Sequence, residues 1–103
     1  MYTTERFDGT DNETTVSVGT TSLSLFTGLT ISQQTRGWII TNNHATAIVY
    51  FRISSTGSKT VTTGRYNFRL AAGAEKTIQC GPAVVIYALS DTATTPVELV
   101  CLK

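Results

Sequence analysis

Short apolar or alternating runs, each closed by a turn residue, recur along the chain about every ten residues from position 15 to the end. This rhythm limits the fold more than any other feature. Residues 15–18 stop at Gly19, 23–26 at Gly28, 37–41 at Asn42-Asn43-His44, and 47–54 near Gly57. Residues 59–62 stop at Gly64, 66–70 at Gly73, 75–80 at Gly81-Pro82, and 83–89 at Ser90-Asp91, and 96–102 close the chain. Strands that short and that evenly spaced predict an all-β antiparallel sandwich, jelly-roll or immunoglobulin-like, of about eight to nine strands. No window of eleven or more residues repeats apolar positions at helical spacing. The best helical stretch, residues 70–76, is short and broken by Gly73, and reads as a tight turn between strands.

The chain has 103 residues, enough for one domain. A domain of this size buries roughly two-thirds of its unfolded surface, so a hydrophobic core can hold it without metal or disulfides. Only 15% of the residues are charged, and threonine is the commonest residue at 20 of 103. Its β-branched side chain suits a pleated surface. A net charge of +1 predicts no recruitment of nucleic acid or an anionic membrane. The charge is unevenly spread: Glu5, Asp8, Asp11 and Glu13 crowd the first 13 residues, opposed there only by Arg6. Residues 1–13 are therefore expected to be a flexible acidic arm and 14–103 the sandwich. The start of the chain lacks a basic, then apolar, secretion signal, and no apolar run reaches membrane-spanning length, so a cytoplasmic origin is expected. In a reducing compartment Cys80 and Cys101 are expected as free thiols, a disulfide between them being the alternative.

Alternation assigns faces. In residues 47–54 (AIVYFRIS), Val49, Phe51 and Ile53 form the inward set, and Ile48, Tyr50 and Arg52 the outward one. Trp38 is expected to plug the core. In residues 65–69, Tyr66 and Phe68 should point inward and Arg65 and Arg69 outward. Asn42-Asn43-His44 reads as a hairpin turn. Residues 83–89 (AVVIYAL) and 97–102 (VELVCL) are apolar on both faces. Such a strand lies either centrally under a cover or at a subunit interface. The interface is the expectation, with Val84, Ile86, Val100 and Leu102 forming it, because no helix is present to cover a second face.

No catalytic constellation emerges. The only histidine, His44, falls in a turn, so a Ser or Cys nucleophile lacks a base. Glu75, Asp91 and Glu98, the acidic residues of the body, sit at strand ends or on faces, without the paired arrangement of a glycosidase. Residues 8–13 (DGTDNE) carry oxygen donors suited to calcium but not at the offsets of a calcium loop. The expectation is a non-enzymatic protein without cofactor, metal or nucleic-acid partner.

The runs 37–43 and 47–52 resemble a strand–Asn–strand hairpin of small virion proteins of tailed bacteriophages. Residues 70–78 resemble their L-x-x-G-x-x-x-x-I turn, and 86–91 with 96–100 their closing hairpin. The resemblance covers about residues 37–102. It implies a capsid-decorating or head-associated structural protein, localised to the virion after synthesis in the host cytoplasm. Such proteins are often homotrimers, bind the major capsid protein, and carry no active site. On this reading Arg36, Arg52, Arg65 and Arg69 contact an acidic shell, and Thr14, Val16 and Val18 add a strand to a neighbour's exposed edge.

A carbohydrate-binding module or receptor-binding tip is the alternative, with Trp38, Tyr50, Tyr66 and Tyr87 as candidate sugar contacts. An immunoglobulin-like domain of a longer adhesin is a third.

Overall fold

The computed structural model describes residues 13–102, of which all but the side chain of Glu13 are defined. Residues 1–12 of the expected arm 1–13, and with them 8–12 of the calcium-like run 8–13, lie outside the described residues, and Glu13 opens the first strand. The strands are β1 (Glu13–Val18), β2 (Leu23–Ser24), β3 (Gly37–Asn42) and β4 (Val49–Ser54), then β5 (Phe68–Leu70), β6 (Glu75–Gln79), β7 (Val85–Ser90) and β8 (Thr95–Leu102). They form two four-stranded antiparallel sheets, in the orders β1-β8-β3-β6 and β2-β7-β4-β5. Except at the β4–β5 pair, each strand is followed by one in the opposite sheet. That order is the eight-stranded jelly roll and not the immunoglobulin arrangement. Among the described residues there is no helix.

The core lies between the sheets. Val18, Leu25, Ile40, Val49, Phe51, Ile86, Val97 and Leu99 are fully buried there. Each aliphatic or aromatic side chain so buried contributes about 1.5–3 kcal/mol. Phe51 on β4 stacks on Phe68 of β5 with ring centres 4.8 Å apart, and Phe26 packs against Trp38 at the same spacing. Among the described residues the buried indole Nε1–H of Trp38 has no hydrogen-bond partner.

Four sequence expectations are corrected. Residues 59–62 form no strand, because residues 55–60 are exposed and only Val61 is buried; a single bridge, Thr62 to Arg65, marks the loop. Asn42 and its neighbours do not turn a hairpin, since β3 and β4 belong to different sheets. Tyr66 does not point into the core. The Asn67 side-chain oxygen takes the backbone N–H of Ile53 at 2.7 Å, and the Asn67 N–H donates to the Phe51 carbonyl at 2.7 Å. The ladder is interrupted there, alternation resumes only at Phe68, and Tyr66 stays exposed, 5.0 Å from the Tyr50 ring. Finally, the two doubly apolar strands are each the interior strand of a sheet, β7 between β2 and β4, and β8 between β1 and β3. Ile86 is wholly buried in the main core. Val100 and Leu102, with Ile39, make a second small buried cluster on the opposite face of their sheet.

The connection at Asn42 is a polar knot inside the sandwich. Its side chain is fully buried, and Nδ2 donates to the carbonyls of Ala47 at 2.8 Å and Leu70 at 3.0 Å. Its Oδ1 accepts the N–H of His44 at 3.1 Å. The backbone of Asn42 accepts from Gly73 at 2.8 Å and donates to Ala74 at 2.9 Å. Gly73 has φ +77°, a left-handed conformation that glycine adopts without strain, which is why the turn between β5 and β6 can reach back to β3.

The turn between β7 and β8 carries local strain. Thr94 has φ 60°, a conformation unfavourable for a β-branched residue, and its side chain is exposed. A buried bond between the Ser90 and Thr95 hydroxyls at 2.6 Å, with Thr95 Oγ1 donating to the Thr92 carbonyl at 2.8 Å, holds the turn in place. Thr94→Asn is expected to raise stability by about 0.5–1 kcal/mol, because asparagine tolerates this region. Chemical denaturation checks it, and an unchanged or lower midpoint would count against the strain.

Candidate binding face

The outward side chains of the β2-β7-β4-β5 sheet form one surface. Register places Tyr50 opposite Arg69 on one side and Leu89 on the other, and Arg52 opposite Tyr87, which in turn lies opposite Ser24. Tyr66 joins them by its edge contact with Tyr50. Three tyrosines and two arginines therefore share a face whose strands carry no acidic side chain. The opposite outer face, on the β1-β8-β3-β6 sheet, carries Glu75 and Glu98, brought level with each other by Thr41. The two outer faces thus differ in charge sign.

Beside Tyr87 the surface deepens into a groove of about 540 Å³. Its walls are the segments 20–24 and 59–61, and its floor is Tyr87 and Leu89. The walls are tied together where the Val61 N–H donates to the Ser22 hydroxyl at 2.9 Å. Val61, 1% exposed, is the apolar anchor that pins the second wall. Arg52 Nη1 supports the same wall by donating to the Thr60 carbonyl at 3.1 Å.

The sequence-predicted residues fall as follows. Of the four interface candidates, Ile86 and Leu102 have no exposed surface and Val100 has 8%; Val84 is half-buried ahead of β7. Burial within the single chain leaves Ile86, Val100 and Leu102 nothing to offer a second copy. Thr14, Val16 and Val18 lie in β1, paired antiparallel with β8 of their own chain. β1 is the edge strand of its sheet, and Val18 is wholly buried in the core between the sheets. Of the four arginines, Arg52 and Arg69 share the face described above. Arg65 is exposed on the adjoining loop, and Arg36 lies apart, exposed just before β3 on the other sheet. Of the aromatic candidates, Trp38 is in the core, whereas Tyr50, Tyr66 and Tyr87 come together. Sequence reasoning missed the groove walls. Its one signal was Val61, a lone apolar residue in a polar run.

His44 has a structural task. Its Nδ1 accepts the N–H groups of Thr46 and Ala47, both at 3.0 Å, which assigns the ring proton to Nε2. Cys80 and Cys101 are free thiols. Burial, and secondarily the neighbouring Cys101, push the Cys80 thiol above its ordinary range, which favours the unreactive protonated form. Among the described residues no three His, Cys, Asp or Glu side chains gather as a metal cluster. No family model matches the chain, and neither a curated protein nor a solved structure is similar enough to it to count as a match.

Proposed function

We propose that the chain is a non-enzymatic structural domain of a virion that docks onto the protein shell through the outer face of the β2-β7-β4-β5 sheet. The observation that carries this reading is the gathering of Tyr50, Tyr66, Tyr87, Arg52 and Arg69 on that face. Tyrosine and arginine are the residues enriched at protein–protein hot spots, while lysine and the acidic residues are depleted there. An acidic patch on a capsid protein is the complementary partner. The eight-stranded jelly roll is shared by viral capsid and lectin domains, an analogy of fold that supports the reading without carrying it. Docking of many copies onto a repetitive shell gains strength by avidity.

Co-sedimentation with empty shells from the same source tests the proposal. The wild type is expected to pellet with shells, and Tyr66→Ala combined with Arg69→Glu to lose about tenfold or more in affinity. Both residues are exposed, so the variant keeps the fold. A wild-type protein that stays in the supernatant at every shell concentration sinks the proposal.

A second reading, glycan binding, is favoured by the same three tyrosines. Trp38 drops out of it, being buried against Phe26.

A further inference from the structure

We infer that the groove beside Tyr87 is a binding site for a carboxylated saccharide. It rests on and deepens the glycan-binding reading, and it differs from shell docking in that Tyr87 belongs to both surfaces whereas neither Tyr66 nor Arg69 lines the groove.

The dimensions suit a small ligand: about 540 Å³ lies within the range of small-molecule sites. The chemistry is more particular. A sugar ring presents an apolar C–H face and a rim of hydroxyls, so it needs an aromatic or aliphatic floor with polar edges. Tyr87 and Leu89 supply the floor, both half-buried and therefore held in place while keeping one side open. Thr20, Thr21 and Thr60 supply hydroxyls at the edges. Among the described residues these hydroxyls, and the Tyr87 phenol, make no hydrogen bond, so each is free to donate or accept. Phenol and hydroxyl groups both donate and accept, which matches the mixed character of sugar hydroxyls.

Charge selects among sugars. Lys59 lines the groove, and among the described residues no acidic side chain does. Lys59 has no ion-pair partner among the described residues. An ammonium at the rim of a hydroxyl-lined groove favours a saccharide bearing a carboxylate, with a charge-assisted hydrogen bond as the contact. Sialic acid and hexuronic acid are the two sources of that chemistry.

The walls are fixed before a ligand arrives. The Val61–Ser22 bond and the Arg52–Thr60 bond hold the 59–61 segment against the sheet, so little ordering cost falls on binding.

The test is a titration of isotope-labelled protein with 3′-sialyllactose, digalacturonate and neutral lactose in parallel. At least one carboxylated sugar is expected to bind with a Kd of about 1 mM or tighter. The amide shifts should centre on residues 20–24 and 59–61. Lactose should bind at least about tenfold more weakly. Lys59→Glu should remove the preference for the carboxylated sugar, and Tyr87→Ala should weaken all binding; a thermal melt of each variant confirms that it is folded. Both carboxylated sugars failing to bind at about 10 mM, shifts centred elsewhere, or lactose binding equally well each overturns the inference. Shell docking is scored separately, because Tyr66→Ala with Arg69→Glu leaves the groove intact. Loss of shell binding in that variant with saccharide binding unchanged separates the two sites.

Discussion

Replacing Asn42 with leucine is expected to lower stability by about 3–5 kcal/mol, a large share of what a domain this size has. Leucine keeps the branched shape of asparagine but is bulkier, so some overpacking adds to the cost at this buried position. The larger share of the loss comes from the groups left behind. Asn42 Nδ2 serves the carbonyls of Ala47 and Leu70, and Oδ1 serves the His44 N–H, all from a fully buried side chain. Each partner stranded without water costs about 1–3 kcal/mol. These bonds also tie the end of β3, in one sheet, to the approach to β4 and the end of β5, in the other. Asn42→Asp is the informative companion. It preserves shape and the acceptor for His44 but turns a carboxylate toward two carbonyl oxygens, so it should be at least as damaging. Urea denaturation followed by the fluorescence of Trp38, the sole tryptophan, measures both. A loss below about 1 kcal/mol for the leucine variant would mean the two carbonyls find other partners.

Why Asn42 escaped notice as a core residue shows where sequence reasoning stops. Asparagine before Asn43 and His44 has turn chemistry, and a turn is where the chain does change direction. What local sequence does not contain is which sheet the next strand joins. The same blindness misplaced Val100, Leu102 and Ile86. Apolar residues on both faces of a strand say that both faces are covered, not by what. Centrality within the sheet, with β7 and β8 each flanked on both sides, is a property of strand order. Where the information is local, the reading holds. Val49 and Phe51 face inward and Tyr50 and Arg52 outward, as period-two alternation requires. The turn at residues 71–74 is closed by Ala74 N–H on the Ala71 carbonyl at 3.0 Å. Tyr66 marks the boundary, because one side chain, that of Asn67, replaces a ladder bond and reverses the face of the residue before it. Apart from the lone apolar Val61, the groove lies beyond local reading. Its walls are 39 positions apart at the Val61–Ser22 bond, and only the fold brings them together.

The second large effect is expected at Gly37, whose role is steric. Gly37 opens β3 between Leu102 of β8 and Gln79 of β6. A Cβ there would collide with the Ile78 carbonyl oxygen and would lie 3.2 Å from the Gln79 Cα. The obstacles are backbone atoms, which cannot turn aside as a flexible side chain would. β8 is locked between β1 and β3, whereas β6 is the edge of its sheet, so β6 must give way. Gly37→Ala is therefore expected to cost about 2–3 kcal/mol, at the upper end of overpacking effects. The damage should be directional: faster amide exchange at Thr77 and at Cys80, whose N–H donates to the Arg36 carbonyl at 3.1 Å, with β8 still protected. Gly64→Ala supplies the control. A Cβ at Gly64 meets nothing within 4 Å, and its φ is not left-handed, so that variant should stay within about 0.5 kcal/mol of wild type. If the two alanine variants prove equally stable, the close approach of β6 to β3 at this point is wrong. If Gly37→Ala loosens β8 instead of β6, the strand order assigned to this sheet is wrong with it.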